Sequence, residues 1–353
     1  MARIRVVHVP ARTPYARKLS SEHVGIVNSA DGVPRDLTLR QVLGRRPLTW
    51  FDVLHLHHIE FDDLSTLRLV LSECARARRR VVFTAHDLEP IFTPRSQYRR
   101  KLRLLAEWRV PFVCLTPGSE AEVRRRWRPE TTVLAPHGYV APPQRFPGRD
   151  RQCTPEARYL LFGALRDNRD VTTVLYNWRF GRRQQETSLT LLLRSPGSIN
   201  IEQERDRWEL IATMATAEPR LRVELAPFPT DAEVVSTAQG CDALILPYVW
   251  GTHSGQLELA FDLGLLPITS DVGFLREQYQ QHDGLVPEPV WFDWSDGAEY
   301  AYGERFGRAL EQAVGLMEKN APVRDADAFA QHRREEHQRV MSIHHELYES
   351  AWS

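Results

Sequence analysis

Cysteine is scarce in this chain: four in 353 residues, at positions 74, 114, 153 and 241. Gaps of tens of residues fit neither a disulfide framework nor Cys-x-x-Cys zinc pairs, so the four read as reduced thiols of a cytoplasmic protein. Long apolar runs are missing too. None approaches the roughly 18 residues needed to cross a bilayer, and Pro10 and Arg12 break the opening MARIRVVHVP, so neither a membrane helix nor a signal peptide is expected. The segment VVHVPARTPYARKL after the first apolar run lacks GxGxxG, and GxxxxGK[ST] occurs nowhere, which argues against dehydrogenases and P-loop NTPases. Internal repeats and low-complexity tracts are also absent.

Net charge is zero, from 46 Lys+Arg and 46 Asp+Glu, but it is unevenly spread. Residues 1–150 hold 26 basic against 15 acidic residues, with Arg-rich stretches at 76–80, 98–103 and 124–128. Solvated helix faces explain these most simply. Attraction to an anionic membrane surface is an alternative that is not favoured, and no recognisable nucleic-acid module accompanies the clusters, so nucleic acid is not an expected partner.

What the chain does contain is alternation. Short β-rich apolar runs (4–9, 52–57, 81–86, 112–116 and 132–135, then 158–162, 189–193, 222–225, 243–246 and 266–269) are each followed by a stretch of helical periodicity. That is the pattern of parallel βαβ units. The expected fold class is α/β, with two doubly wound Rossmann-like domains facing each other across a cleft. The boundaries expected are a first domain over 1–145, a Pro-rich linker over 146–156, a second domain over 157–325 and a helical segment over 326–353 that could return to the first domain.

In such sheets ligands sit beyond the carboxyl ends of the strands. Within residues 241–273 an apolar strand ends at Pro247, a glycine- and hydroxyl-rich loop follows, and a helix is expected from about Ser254. Backbone N–H groups at Thr252, His253, Ser254 and Gly255, with the positive end of the helix dipole, make an anion site that Gly251 and Gly255 let a pyrophosphate approach. Ser254 reads equally as a helix cap, and His253 as a ligand contact or a surface histidine. Glu258, placed away from the apolar stripe, reads as a ribose acceptor or as an ion-paired residue. Gly163 ends another strand, and Arg166 and Arg169 in the loop beyond it suit a diphosphate leaving group without a metal. In the first half His55, His57, His86 and His137 stand at strand ends. His86 suits a sugar hydroxyl; the His55/His57 pair lacks a completing Cys or carboxylate set, so no metal is expected.

Taken in order, these segments resemble GT-B glycosyltransferases, particularly retaining enzymes of glycosyltransferase family 4 and its close relatives. The likeness rests on Pro14-Tyr15, the HLHxxE run from His55 to Glu60, TAHDLEP from Thr84 to Pro90, Pro136 to Gly138, Gly163 with Arg169, and Ser254 to Gly273. Two departures stand out: the Glu-x7-Glu pair of the family falls on Gly251 and Leu259, and Ala164 replaces an arginine. The resemblance implies a nucleotide-sugar donor held by the second domain, with Pro229 added to its contacts, and an acceptor held by the first, with Arg12, Tyr15, His57 and His137 as candidates. His86, Arg166 and Arg169 are the expected catalytic residues. The implied activity is metal-independent sugar transfer, with retention, to a small-molecule, saccharide or lipid-linked hydroxyl. No cofactor is expected beyond the nucleotide-sugar co-substrate, a UDP-sugar being favoured over a GDP-sugar. Alternatives are a nucleotide-sugar epimerase or hydrolase of the same fold and a non-catalytic partner protein.

Overall fold

A computed structural model describes residues 3–30, 33–141, 156–195, 204–227, 231–282, 284–293, 299–318 and 325–350. The chain divides into two units, Met1–Gly138 with Arg334–Ser353, and Tyr139–Arg333. The expected linker, 146–156, lies outside the described residues except for Glu156, as do Pro229 and Cys153.

In the first unit the elements run β1 (Ile4–Val9), α1 (Pro14–Arg17), β2 (Val24–Ile26), β3 (Ser29–Ala30), β4 (Val33–Pro34), α2 (Leu39–Leu43), β5 (Val53–Leu56), α3 (Leu64–Arg76), β6 (Arg80–Thr84), α4 (Arg95–Glu107), β7 (Phe112–Cys114), α5 (Pro117–Arg126) and β8 (Thr132–Leu134). Its six-stranded sheet has the order β2-β1-β5-β6-β7-β8, all parallel. One core face joins Val6, Val24, Val53, Val82 and Val113 to Leu347 and Tyr348.

The second unit runs β9 (Ala157–Gly163), α6 (Val171–Phe180), β10 (Thr187–Arg194), α7 (Arg205–Ala217), β11 (Leu221–Ala226), α8 (Asp231–Gln239), β12 (Ala243–Leu246), α9 (Gly255–Leu263), β13 (Leu266–Ser270), α10 (Leu275–Gln280), β14 (Val290–Phe292) and α11 (Glu299–Glu318). Helix α12 (Ala326–Glu349) contains the return to the first unit. The second parallel sheet has the order β11-β10-β9-β12-β13-β14. Successive side chains leave a strand on opposite faces: Tyr159 and Leu161 join a core with α6, α7 and α11, while Leu160 joins another with α8 and α9. Both faces are thus covered, which is why these strands are near-continuous apolar runs.

Every expected run is a strand, trimmed or extended by a few residues at its ends. Each sheet also has an edge strand that the sequence reading did not contain, β2 and β14, of three residues each.

Candidate functional site

The strand order of the second sheet reverses direction around β9. β10 and β11 lie on one side, β12, β13 and β14 on the other, so the carboxyl ends of β9 and β12 flank a topological switch point, where open α/β sheets bind ligands. The two loops leaving those ends are laced together. Arg169 and Tyr248 form an isolated bridge, Asp170 N–H donates to Pro247 O at 2.9 Å, and Val249 N–H donates to Asn168 O at 2.9 Å.

That lacing carries the Arg169 guanidinium inward, to 5% exposure. Nη1 donates to Phe162 O at 2.8 Å and Nη2 to Gln256 Oε1 at 2.8 Å, and the group lies 5.5 Å from the Tyr248 ring centre. Its Nε is buried with no hydrogen-bond partner, and no carboxylate among the described residues pairs with it. Burial, and then Arg166, push its pKa down, with Tyr248 opposing. Arg166 also depresses Arg194 at the end of β10, after the larger effect of burial. A cation this deep and without a counter-charge is costly. An anion arriving at the switch point would relieve the cost. Arg194 was missed in the sequence, although the rule applied to the other loops, inspecting the residue at a strand's end, would have found it.

Helix α9 starts at the same place. Ser254 caps it, its hydroxyl accepting from Leu257 N–H at 3.1 Å and lying 3.0 Å from Tyr248 Oη. The N–H groups of Gly255 and Gln256 stand in the helix's first turn, where no intrahelical partner exists. Gly251 and His253 are half-buried in the preceding loop and Thr252 is buried. Two glycines are required by geometry. A Cβ on Gly163, at φ +112°, would meet Arg169 Nη1 at 2.9 Å; one on Gly273, at φ +57°, would sit 2.1 Å from Gly251 O. Gly273 therefore lets the turn after β13 press against the loop that precedes α9.

Glu258 faces inward, the ion-paired alternative. Its oxygens meet Gln278 Nε2 at 2.8 Å, His282 Nε2 at 3.0 Å and Arg333 Nη2 at 3.0 Å. The expected polar face of α9 does not exist, because every residue from Leu257 to Leu263 is buried.

In the first unit the switch point lies between β1 and β5, and a histidine cluster fills it. His8 Nδ1 lies 2.8 Å from His57 Nε2, and His57 Nδ1 lies 3.4 Å from His86 Nε2. His55 spends both nitrogens, on Tyr348 Oη and Thr84 Oγ1, each at 2.7 Å. Tyr15 packs against His57, His86, His137 and His344, with Oη 3.2 Å from His344 Nε2. Burial holds these rings neutral: His8 falls to about 3 and His344 to about 4, while His55 and His57 are lowered well below their ordinary value. Three of them, His8, His55 and His57, are close enough together to consider a metal. Both nitrogens of His55 and of His57 are engaged, while His8 Nε2 is buried without a hydrogen-bond partner; two imidazoles on one tetrahedral zinc at about 2.0–2.1 Å would stand roughly 3.3 Å apart, wider than the 2.8 Å between His8 and His57.

Among the acceptor candidates Tyr15, His57 and His137 are buried, whereas Arg12 is exposed, its Nε donating to Pro34 O at 3.4 Å. His86 is half-buried at the outer end of the chain of rings. Glu60 closes the HLHxxE run for a structural reason: its carboxylate accepts from Ile91 N–H at 3.0 Å and Phe92 N–H at 2.7 Å, holding the loop that carries His86. Lys101, counted above in a basic surface stretch, is instead buried and donates to Ile59 O and Glu60 O.

No protein-family model matches the sequence, and no curated protein matches it. Solved structures do. HepE from Anabaena in complex with UDP-glucose aligns with a TM-score of 0.64 at 13% identity, covering 98% of this chain and 99% of that one. The fold is GT-B. A glycosyltransferase from Rickettsia africae ESF-5 aligns at TM-score 0.61 and 10% identity over 99% and 98% of the two chains, and sucrose-phosphate synthase from Thermosynechococcus elongatus at 0.59 and 13% over 97% and 95%. No helix among the described residues is long and apolar enough to cross a membrane.

Proposed function

We propose that this chain is a glycosyltransferase that moves a sugar from a nucleoside-diphosphate sugar, with a UDP-sugar favoured, to an acceptor hydroxyl, with retention and without a metal. The observation that carries the reading is Arg169: a buried guanidinium with no carboxylate, an unsatisfied Nε, and the start of α9 beside it. Charge builds on the diphosphate as the bond from the anomeric carbon to its oxygen breaks. Arg169, Arg166 and the amides of Thr252, His253, Gly255 and Gln256 would stabilise that charge where water is largely excluded, the Ser254 N–H being held by Gln278. The guanidiniums supply the positive charge that a divalent ion would otherwise bring, which supports metal independence. The departing phosphate oxygen can take the acceptor's proton, so retention needs no protein nucleophile. His86 is the candidate contact for a sugar hydroxyl, and Arg12, Tyr15, His57 and His137 are the candidate acceptor contacts of the first unit. HepE forms complexes with UDP and with UDP-glucose, which supports the preference for UDP. Three buried reduced cysteines, Cys74, Cys114 and Cys241, support work in the cytoplasm.

A thermal-shift panel of UDP, GDP, ADP and dTDP and their sugars tests the reading. A ligand at 100 times its Kd should stabilise the chain by about 2.7 kcal/mol. No shift with any of them would overturn the donor site. Consumption of the donor with no acceptor present would point instead to an epimerase or hydrolase.

A further inference from the structure

The chain passes between the two units at 138–139 and again at 333–334. Both passages are fastened to the same helix. On α9, Asp262 Oδ2 accepts from Val140 N–H at 2.6 Å and Ala141 N–H at 3.1 Å, while its Oδ1 accepts from Arg333 Nε at 2.9 Å. One turn earlier Glu258 ion-pairs with the same Arg333, at 3.0 Å, and accepts from Gln278 Nε2 at 2.8 Å. Gln278 then grips the residue that caps α9: its Nε2 donates to Ser254 O at 2.7 Å and its Oε1 accepts from Ser254 N–H at 3.1 Å. Ser254, Glu258, Asp262, Gln278 and Arg333 are each at most 3% exposed.

A continuous buried line of polar contacts therefore leads from the loop before α9 to both passages. Surface pairs would yield to water and salt, but these groups are out of reach of both, so a shift at one end cannot be absorbed by solvent along the way. A helix tightly packed on all sides transmits displacement rather than damping it. We infer that this line couples occupancy of the anion site at Gly255–Gln256 to the two interunit passages, with Glu258, Asp262 and Arg333 as positioning residues that do not touch the donor. The inference rests on the donor site proposed above.

The test is hydrogen exchange on the full chain, with and without the tightest binder among UDP, GDP, ADP and dTDP. Binding should slow exchange in peptides covering 251–256, and also in those covering 139–141 and 326–333, by about threefold or more. Glu258→Gln keeps the shape of the side chain but gives Arg333 an amide in place of a carboxylate. In that variant the nucleotide should still protect 251–256 while protection at the passages drops to the unliganded level. If no nucleotide protects 251–256, the donor reading fails and this inference with it. If the wild type protects 251–256 and leaves both passages unchanged, the coupling alone is overturned, whatever the variant does.

Discussion

Lowering the pH from 7.5 to 5.5 should loosen the first unit through its histidines. In the folded chain His8 titrates at about 3 and His344 at about 4, both chiefly because burial penalises the charged ring; unfolded, each titrates near 6.5. The folded values are depressed, so the unfolded chain binds more protons throughout the interval, and the stability present above about pH 6.5 is lost as pH falls. Each ring contributes about 1.4 kcal/mol over these two units, so the pair contributes about 2.7 kcal/mol, or roughly 100-fold in the opening equilibrium. His55 and His57 are shifted in the same direction and add to it. Native-state hydrogen exchange reads this directly, as protection factors of β1 and β5 amides referred to the intrinsic rate at each pH. His344→Gln retains a group able to accept from Tyr15 and removes one titrating ring, so its loss of protection should be smaller by about tenfold. A wild-type loss under about threefold would refute the claim that these rings stay neutral.

Two other perturbations have definite outcomes. Gly273→Ala places a methyl 2.1 Å from Gly251 O at a positive φ; strain of about 1–3 kcal/mol should lower Tm and weaken nucleotide binding together, and unchanged binding by calorimetry would detach this turn from the site. Turnover should survive EDTA if, as proposed, arginines and backbone amides carry the diphosphate; activity abolished by chelation and restored by Mg²⁺ or Mn²⁺ would show that assignment to be wrong.

The sheets were legible because buried parallel strands must be apolar on both faces, and runs such as Leu189–Leu193 have few other readings. Strands β2 and β14 were not, since three residues, centred on Gly25 in β2 and preceded by Pro289 in β14, carry no period. At the site, the Ser254 cap and the glycines were readable from local chemistry. The orientation of Glu258 was not, because it is set by Gln278, His282 and Arg333, residues 20, 24 and 75 positions away, and because a helix buried all round has no polar face to read. Arg169 was visible as a charge in the right loop. That it is buried and uncompensated follows from strand pairing between β9 and β12, which only the fold reveals. The histidine cluster is similar: His8, Tyr15, His55, His57 and His344 are each ordinary alone, and the sheet order with the return of α12 brings them together.

The central claim is that Arg169 is held without a counter-charge in order to receive an anionic donor. Isothermal titration of the tightest nucleoside diphosphate into the wild type and into Arg169→Met tests it most directly, with unliganded stability measured alongside. Loss of a charge-assisted contact of about 1.5–3 kcal/mol predicts an affinity about 10- to 150-fold weaker. The unliganded variant should be as stable as the wild type or more so, because a buried unpaired cation has been replaced by an apolar side chain. Nucleotide affinity within about twofold of the wild type would contradict the account.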